Sequence, residues 1–390
     1  MFINLRRFRK LQIAQVLTTG LVLSVVMLCW EELDHHVVSH VRSYSYRYLI
    51  NSYDFLNSSY TLSPNDRQRR FGNFLAPTPL HPYLINQLEK CSDSDDILLL
   101  LLVKSSPEND QRRRNIRETW GNEDNILKNL DANVKIVFVL GVHPDTTQRS
   151  KSQARIRKEN RIYNDVIQQN FMDTFHNLTT KLIMQFHWFA KHCPKAKFVM
   201  SADDDIFVHM PNMVRYLRSL EEKSVTNFWV GHVHRGSPPI RRQNNKYYVS
   251  VELYPWPSYP DYTAGAGYVV SRDVAAKIHQ VSQILNSSMY IDDVFMGMCA
   301  QAIGVSPQDY VFFSGEAITR YHPCIYADMI TSHGHTDDVK ELWKEATHPK
   351  VKELSKSFLK NLYCTAVKMA LLCLPHKQNT YGCMGAFTNT

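Results

Sequence analysis

The polar and apolar positions of this chain fall into three regimes. Residues 11–30 carry no charged side chain. From Glu31 to Lys90, Ser, Tyr, Asn and Pro recur with neither a 3.6-residue nor a 2-residue period, and Pro64, Pro77, Pro79 and Pro82 interrupt the stretch. From Cys91 onward, short apolar runs alternate with amphipathic ones. Ile97–Val103 (ILLLLLV) and Val134–Leu140 (VKIVFVL) predict strands buried on both faces. Asn109–Trp120, closed by Gly121, predicts a helix, and the polar run Gln148–Phe171 predicts a second. Thr174–His192 predicts a third, with Leu178, Leu182, Ile183, Phe186 and Phe189 on one side. Lys197–Met200 and Ile206–Val208 read as strands, Met213–Leu220 as a helix and Phe228–Val233 as a strand. Arg235–Pro260 reads as a long loop or hairpin over the site, and Val274–Leu285 and Asp337–Ala346 as helices. Strands alternating with helices predict an α/β fold on a parallel or mixed sheet, in which ligands sit at the carboxyl ends of strands.

One such strand end carries Asp203, Asp204 and Asp205 in succession. Three adjacent carboxylates at the rim of a core repel one another and lose hydration, a strain that a cation relieves. In extended chain Asp203 and Asp205 face one way, roughly 7 Å apart, and Asp204 the other. Carboxylates together with phosphate oxygens are the usual grip on Mg²⁺ or Mn²⁺. Tyr262–Ser271 sets Gly265 and Gly267 before a strand, where either a ligand approaches the backbone closely or the strand bulges. A second acidic pair, Asp292-Asp293, opens a helix running through Cys299.

Composition narrows the setting. The 390 residues have 44% hydrophobic and 21% charged content, as in ordinary globular proteins. Of the net charge of +8, residues 1–30 hold +4 in Arg6, Arg7, Arg9 and Lys10; the rest is too diffuse for a nucleic-acid partner. Twenty uncharged residues suffice to span a bilayer, and the basic flank keeps residues 1–10 cytoplasmic. The expected order is a cytoplasmic tail (1–10), a membrane anchor (11–30), a stem (31–90), a catalytic domain (91–346) and a C-terminal extension (347–390). Sequons at Asn57, Asn177 and Asn286 fit a lumenal, glycosylated domain. Of eight cysteines, Cys29 lies in the anchor; the remaining seven predict disulfides with one thiol left over, and no CxxC suggests zinc.

Four motifs in order carry a resemblance: Arg113–Gly121 (RRNIRETWG), Tyr163–Ile167 with Asn177–Lys181, the Asp203–Asp205 cluster and Asp292-Asp293-Val294. From about Asp95 to Trp343 the chain resembles the inverting β1,3-glycosyltransferases of the Golgi, with Asp in place of Glu at the first position of the last motif. The resemblance implies a glycosyltransferase-A type mixed sheet flanked by helices, behind an N-terminal transmembrane helix and stem. It implies a UDP-sugar donor, UDP-GlcNAc, with UDP-Gal as the alternative, and a glycolipid or other galactose-terminated acceptor; a homodimer is left open. It implies Mn²⁺ on Asp205 with a histidine, His333 before His335, and Asp203 and Asp204 toward the ribose. It assigns Asp293 as the base that deprotonates the acceptor hydroxyl, a choice that the residues alone leave open between Asp292 and Asp293. Arg113 and Arg117 are expected either at the nucleotide or as a basic helix face paired with acids. A non-catalytic, lectin-like membrane protein is the remaining class.

Overall fold

The computed structural model describes residues 15–23, 37–46, 80–92, 96–315, 322–353, 358–373, 381 and 383–387. The chain divides into two compact units, Met1–Tyr53 with Gly236–Tyr259, and Asp54–Arg235 with Pro260–Thr390. A helical stretch at 15–23 falls inside the expected anchor; no helix among the described residues is long and apolar enough to cross a membrane. The rest of 11–30, most of the stem and the Asn57 sequon lie outside the described residues.

In the first unit, helix α1 (Ser39–Ser45) buries Ser43, whose hydroxyl donates to the Gly236 carbonyl at 2.6 Å. Gly236–Tyr259 has little regular structure beyond an isolated bridge between Ile240 and Tyr248. Arg241 organises it: Nη1 donates to the carbonyls of Val249 and Ser250, and Nη2 to those of Tyr254 and Trp256, at 2.6–3.2 Å. One guanidinium thus satisfies carbonyls that a strand ladder would otherwise have to pair.

The second unit is built on strands β1 (Tyr83–Ile85), β2 (Leu99–Lys104), β3 (Val134–Val142), β4 (Val166–Met172), β5 (Phe198–Asp203), β6 (Ile206–Val208), β7 (Trp229–Gly231), β8 (Val233–His234), β9 (Tyr262–Thr263), β10 (Gly267–Ser271), β11 (Gln308–Asp309) and β12 (Thr331–His333). Among the described residues, eight of them form one mixed sheet in the order β1-β4-β3-β2-β5-β10-β7-β11. β4, β3, β2 and β5 run parallel, and β10 pairs antiparallel with both β5 and β7. Leu99–Val103 is 0–1% exposed, as its unbroken apolar run requires; each such side chain contributes about 2 kcal/mol by burial. Among the described residues this unit's helices of eight or more residues are α2 (Asp110–Glu118), α3 (Glu123–Leu130), α4 (Thr146–Tyr163), α5 (Leu178–His192), α6 (Met210–Glu222), α7 (Arg272–Ser282), α8 (Asp292–Ala302), α9 (Val339–Ala346) and α10 (Phe358–Leu372).

Two expectations need correction. The helix expected over Gln148–Phe171 ends at Tyr163, because Asn164 takes the left-handed conformation (φ 48°) and turns the chain into β4. Buried Gln168 and Gln169 made that strand look polar; Gln168 is satisfied by donating to the Gly141 carbonyl and accepting from Gln153. The folded unit also begins before Cys91, since Tyr83–Ile85 adds an antiparallel edge to β4. Disulfides Cys91–Cys193, Cys324–Cys364 and Cys373–Cys383 leave Cys299 free and buried, as the odd count required. The first closes a separation of 102 residues. Loop-closure entropy makes such a link worth about 4–5 kcal/mol.

Candidate active site

Strand register assembles the site. In the parallel ladder Lys104, the last residue of β2, stands opposite Asp203, the last of β5. On the other side the Asp203 N–H donates to the Ala266 carbonyl at 2.9 Å. The chain turns through Asp204 and Asp205 into β6, and β12 pairs antiparallel with β6 so that His333 faces Ile206. That pairing carries His333 to Asp205, with Nε2 3.4 Å from Oδ1. Asp203, Asp205 and His333 each turn a ligand atom to a common point, all within 4.8 Å of one another. Asp205 Oδ1 is buried and makes no hydrogen bond among the described residues, with His333 Nε2 3.4 Å away. Two carboxylates, one of them with an orphaned buried oxygen, and an imidazole fit a divalent cation.

The electrostatics of the cluster oppose one another. Burial, with Asp292 and Asp205 nearby, pushes Asp203 up to about 6 against the pull of Lys104. Burial would raise Asp205 too, but His333 and Arg112 outweigh it and hold that carboxyl below its ordinary range. Asp204 is turned away, its oxygens accepting from Ser105 Oγ (2.7 Å), Asn109 Nδ2 (2.9 Å) and Arg112 Nη1 (2.9 Å). It ties the start of α2 to the Asp turn.

Lys104 joins the two acidic clusters. Its Nζ lies 2.7 Å from Asp292 Oδ2, 3.0 Å from Asp203 Oδ1 and 3.1 Å from the Gly265 carbonyl. Burial would lower its pKa, yet Asp203 and Asp292 hold it well above the ordinary value. Asp292 is therefore occupied by an ion pair, whereas Asp293 is partly exposed and, among the described residues, its Oδ1 accepts only the Val294 N–H, at 2.7 Å. Burial, then the neighbouring Asp292 charge, pushes Asp293 up to about 7 despite Lys104. Gly265 faces it: a Cβ there would lie 3.7 Å from Asp293 Oδ2, so the glycine leaves that oxygen room.

Arg113 and Arg117 prove to be the paired helix face. Arg113 is 0% exposed and bonds both oxygens of Glu159, Ser105 Oγ and the Ser106 carbonyl. Arg117 bridges Glu159 and Asp165 and stacks over Phe138 and Tyr163. The arginine at the Asp turn is Arg112, a third exposed and 3.9 Å from Asp205. His335 is likewise occupied, its imidazole nitrogens on Ser332 and Asp338 and its N–H on the Asp205 carbonyl. Asn177 donates to the Met172 carbonyl and to Thr174 Oγ1, and Asn286 accepts from the Ser288 N–H. Sequence reasoning missed Lys104 and Arg112. Lys104 carried a usable signal, since a lysine that closes an otherwise apolar parallel strand ends beside whatever closes its neighbour.

A family model described as Galactosyltransferase matches residues 111–311, a span holding both acidic clusters. The chain belongs to the galactosyltransferase family. Over 388 residues, 100% of both chains, it is 58% identical to a Danio rerio protein named lactosylceramide 1,3-N-acetyl-beta-D-glucosaminyltransferase A. It is 54% identical over 387 residues, 99% of each chain, to the Homo sapiens lactosylceramide 1,3-N-acetyl-beta-D-glucosaminyltransferase. Among solved structures, a glycosyltransferase involved in glycosylation of the major capsid of PBCV-1 aligns at TM-score 0.35 and 12% identity, over 64% of this chain and 98% of that one. That likeness is too distant to bear on the site. Membership of the family makes the chain a glycosyltransferase.

Proposed function

We propose that this protein transfers N-acetylglucosamine from UDP-GlcNAc, with inversion, to the 3-hydroxyl of the terminal galactose of lactosylceramide. The observation that carries the reading is end-to-end identity of 53–58% to relatives bearing that name. The arrangement of Asp203, Asp205 and His333 across from Asp293 supports it. In this reading those three residues hold Mn²⁺, which when bound supplies positive charge to the departing diphosphate. Asp293 Oδ2 takes the proton of the acceptor hydroxyl as that oxygen attacks the anomeric carbon, while the Val294 N–H holds Oδ1. Lys104 pairs with Asp292, which leaves Asp293, whose pKa is raised, as the carboxyl facing the acceptor. Arg112 lies near enough to the Asp turn to meet the donor.

The wider reading is a Golgi membrane protein of type II orientation with a glycosyltransferase-A type domain in the lumen, anchored through residues 11–30 and glycosylated at Asn57, Asn177 and Asn286. The family description favours a second donor, UDP-Gal. A matrix of UDP-GlcNAc and UDP-Gal against lactosylceramide and free lactose separates the two. Preference for UDP-Gal would replace the proposed donor, and no transfer from either, with UDP still binding, would support the lectin-like class.

A further inference from the structure

Helix α1 has two unlike faces. Ser43 and the C-cap residue Tyr46 are buried, at 0% and 8% exposure, and Ser43 holds the Gly236 carbonyl of residues 236–259, the insertion between β8 and β9. Val37 in the turn just before the helix, and Val41 and Tyr44 within it, spaced i, i+4 and i+7, stand 50%, 61% and 65% exposed. Exposed apolar side chains in helical register are not what water selects. The insertion adds Val251, 57% exposed, and aromatic side chains that include Tyr247 and Trp256. It also holds Lys246 over the Tyr247 ring at 4.6 Å. Across 37–46 and 236–259 the charges are Arg42, Arg241, Arg242 and Lys246 against Glu252 alone. Tyr, Trp and basic side chains beside an apolar stripe are the composition of a bilayer interface. Only six residues, 31–36, separate the uncharged stretch 11–30 from Val37, a reach of at most about 20 Å.

We infer that α1 and the 236–259 insertion form one surface that rests on the membrane holding this chain's own anchor, with Val37, Val41 and Tyr44 in the interface and the basic side chains at lipid headgroups. The insertion leaves β8 at His234 and re-enters β9 at Tyr262, three residues before Gly265. A chain held against the bilayer by this surface favours acceptors carried in the same bilayer over soluble sugars. The inference rests on the proposed anchor and, for its acceptor, on the proposed function.

The test uses the full chain in a Cys29→Ser background, reconstituted in phosphatidylcholine–phosphatidylserine vesicles. An environment-sensitive fluorophore is attached at Val41→Cys or, as a control on the second unit, at exposed Leu127→Cys. Nitroxide carried on lipid headgroups should quench the label at 41 and spare that at 127. The double variant Val41→Asp, Tyr44→Asp should lower transfer to vesicle-borne lactosylceramide about tenfold and leave transfer to free lactose unchanged. An unquenched label at 41 overturns the inference, as does quenching relieved by dilution into copies of the chain without label, which would make the face a dimer contact. An equal fall with both acceptors overturns the acceptor role. If the unmodified chain glycosylates neither acceptor, the proposed function fails, while the quenching result still decides the surface.

Discussion

Replacing Lys104 by Met removes the one ammonium shared by the two acidic clusters while keeping most of the side chain's volume. Asp203 and Asp292, held at 3.0 and 2.7 Å from Nζ, lose that partner together. Removing one member of a buried ion pair typically costs 3–5 kcal/mol, because the remaining charge stays desolvated; about 4 kcal/mol is the figure for this site. Against a total stability of about 5–15 kcal/mol, that leaves the protein folded but weakened, with a melting temperature lower by about 8–16 °C. The effect on catalysis has a sign of its own. Lys104 lowers the pKa of both Asp203 and Asp293, which already stand at about 6 and about 7. Without it both rise further, so the alkaline shift of the pH–activity curve should accompany the loss of stability. The assay is transfer rate from pH 5 to 9 on protein shown to be folded at the assay temperature, beside a thermal melt. A melting temperature within about 2 °C of the parent, with an unshifted pH curve, would refute the view that Lys104 neutralises these carboxylates.

Other expectations follow from the same geometry. In the unmodified protein transfer should rise as pH climbs through about 7 and Asp293 loses its proton. Because the folded state keeps that proton between about 4 and 7 while the unfolded chain does not, Asp293's stabilising contribution is full below about pH 4 and lost as pH rises to 7. Thermal melts should show the Asp293→Asn variant losing that share of the slope. Chelation should abolish transfer and Mn²⁺ restore it, and Asp205→Asn should weaken Mn²⁺ binding measured by calorimetry; full activity in chelator removes the metal from the account. Gly265→Ala sets a methyl 3.7 Å from Asp293 Oδ2 in ordinary contact, so kcat should fall while the melting temperature holds. Equal kcat would mean that the acceptor does not occupy that space.

Much of the fold was legible because parallel strands buried on both faces announce themselves, as in Ile97–Val103 and Val134–Leu140. The Asp cluster was legible because carboxylates at a strand end contradict their apolar flanks. β4 was not, since buried Gln168, satisfied by the Gly141 carbonyl and by Gln153, and buried Gln169 beside it give the strand the composition of a helix surface. The separate fates of Arg112, Arg113 and Arg117 depend on which acids the third dimension brings near them, and Glu159 and Asp165 lie more than forty residues away in sequence. His333 ends β12 and His335 lies two residues beyond it; the pairing of β12 with β6 sends the first to Asp205, while the second bonds Asp338 locally.

The central claim is that this site joins N-acetylglucosamine to galactose with Asp293 as the base. The direct measurement is to incubate the purified full chain, and separately its Asp293→Asn variant, with UDP-GlcNAc and lactosylceramide, and to determine the product's linkage and anomeric configuration by NMR. The account predicts a β1,3-linked N-acetylglucosamine on the terminal galactose, formed about 10²–10⁴-fold more slowly by the variant. A product of α configuration or other linkage, or a variant as fast as its parent, would contradict it.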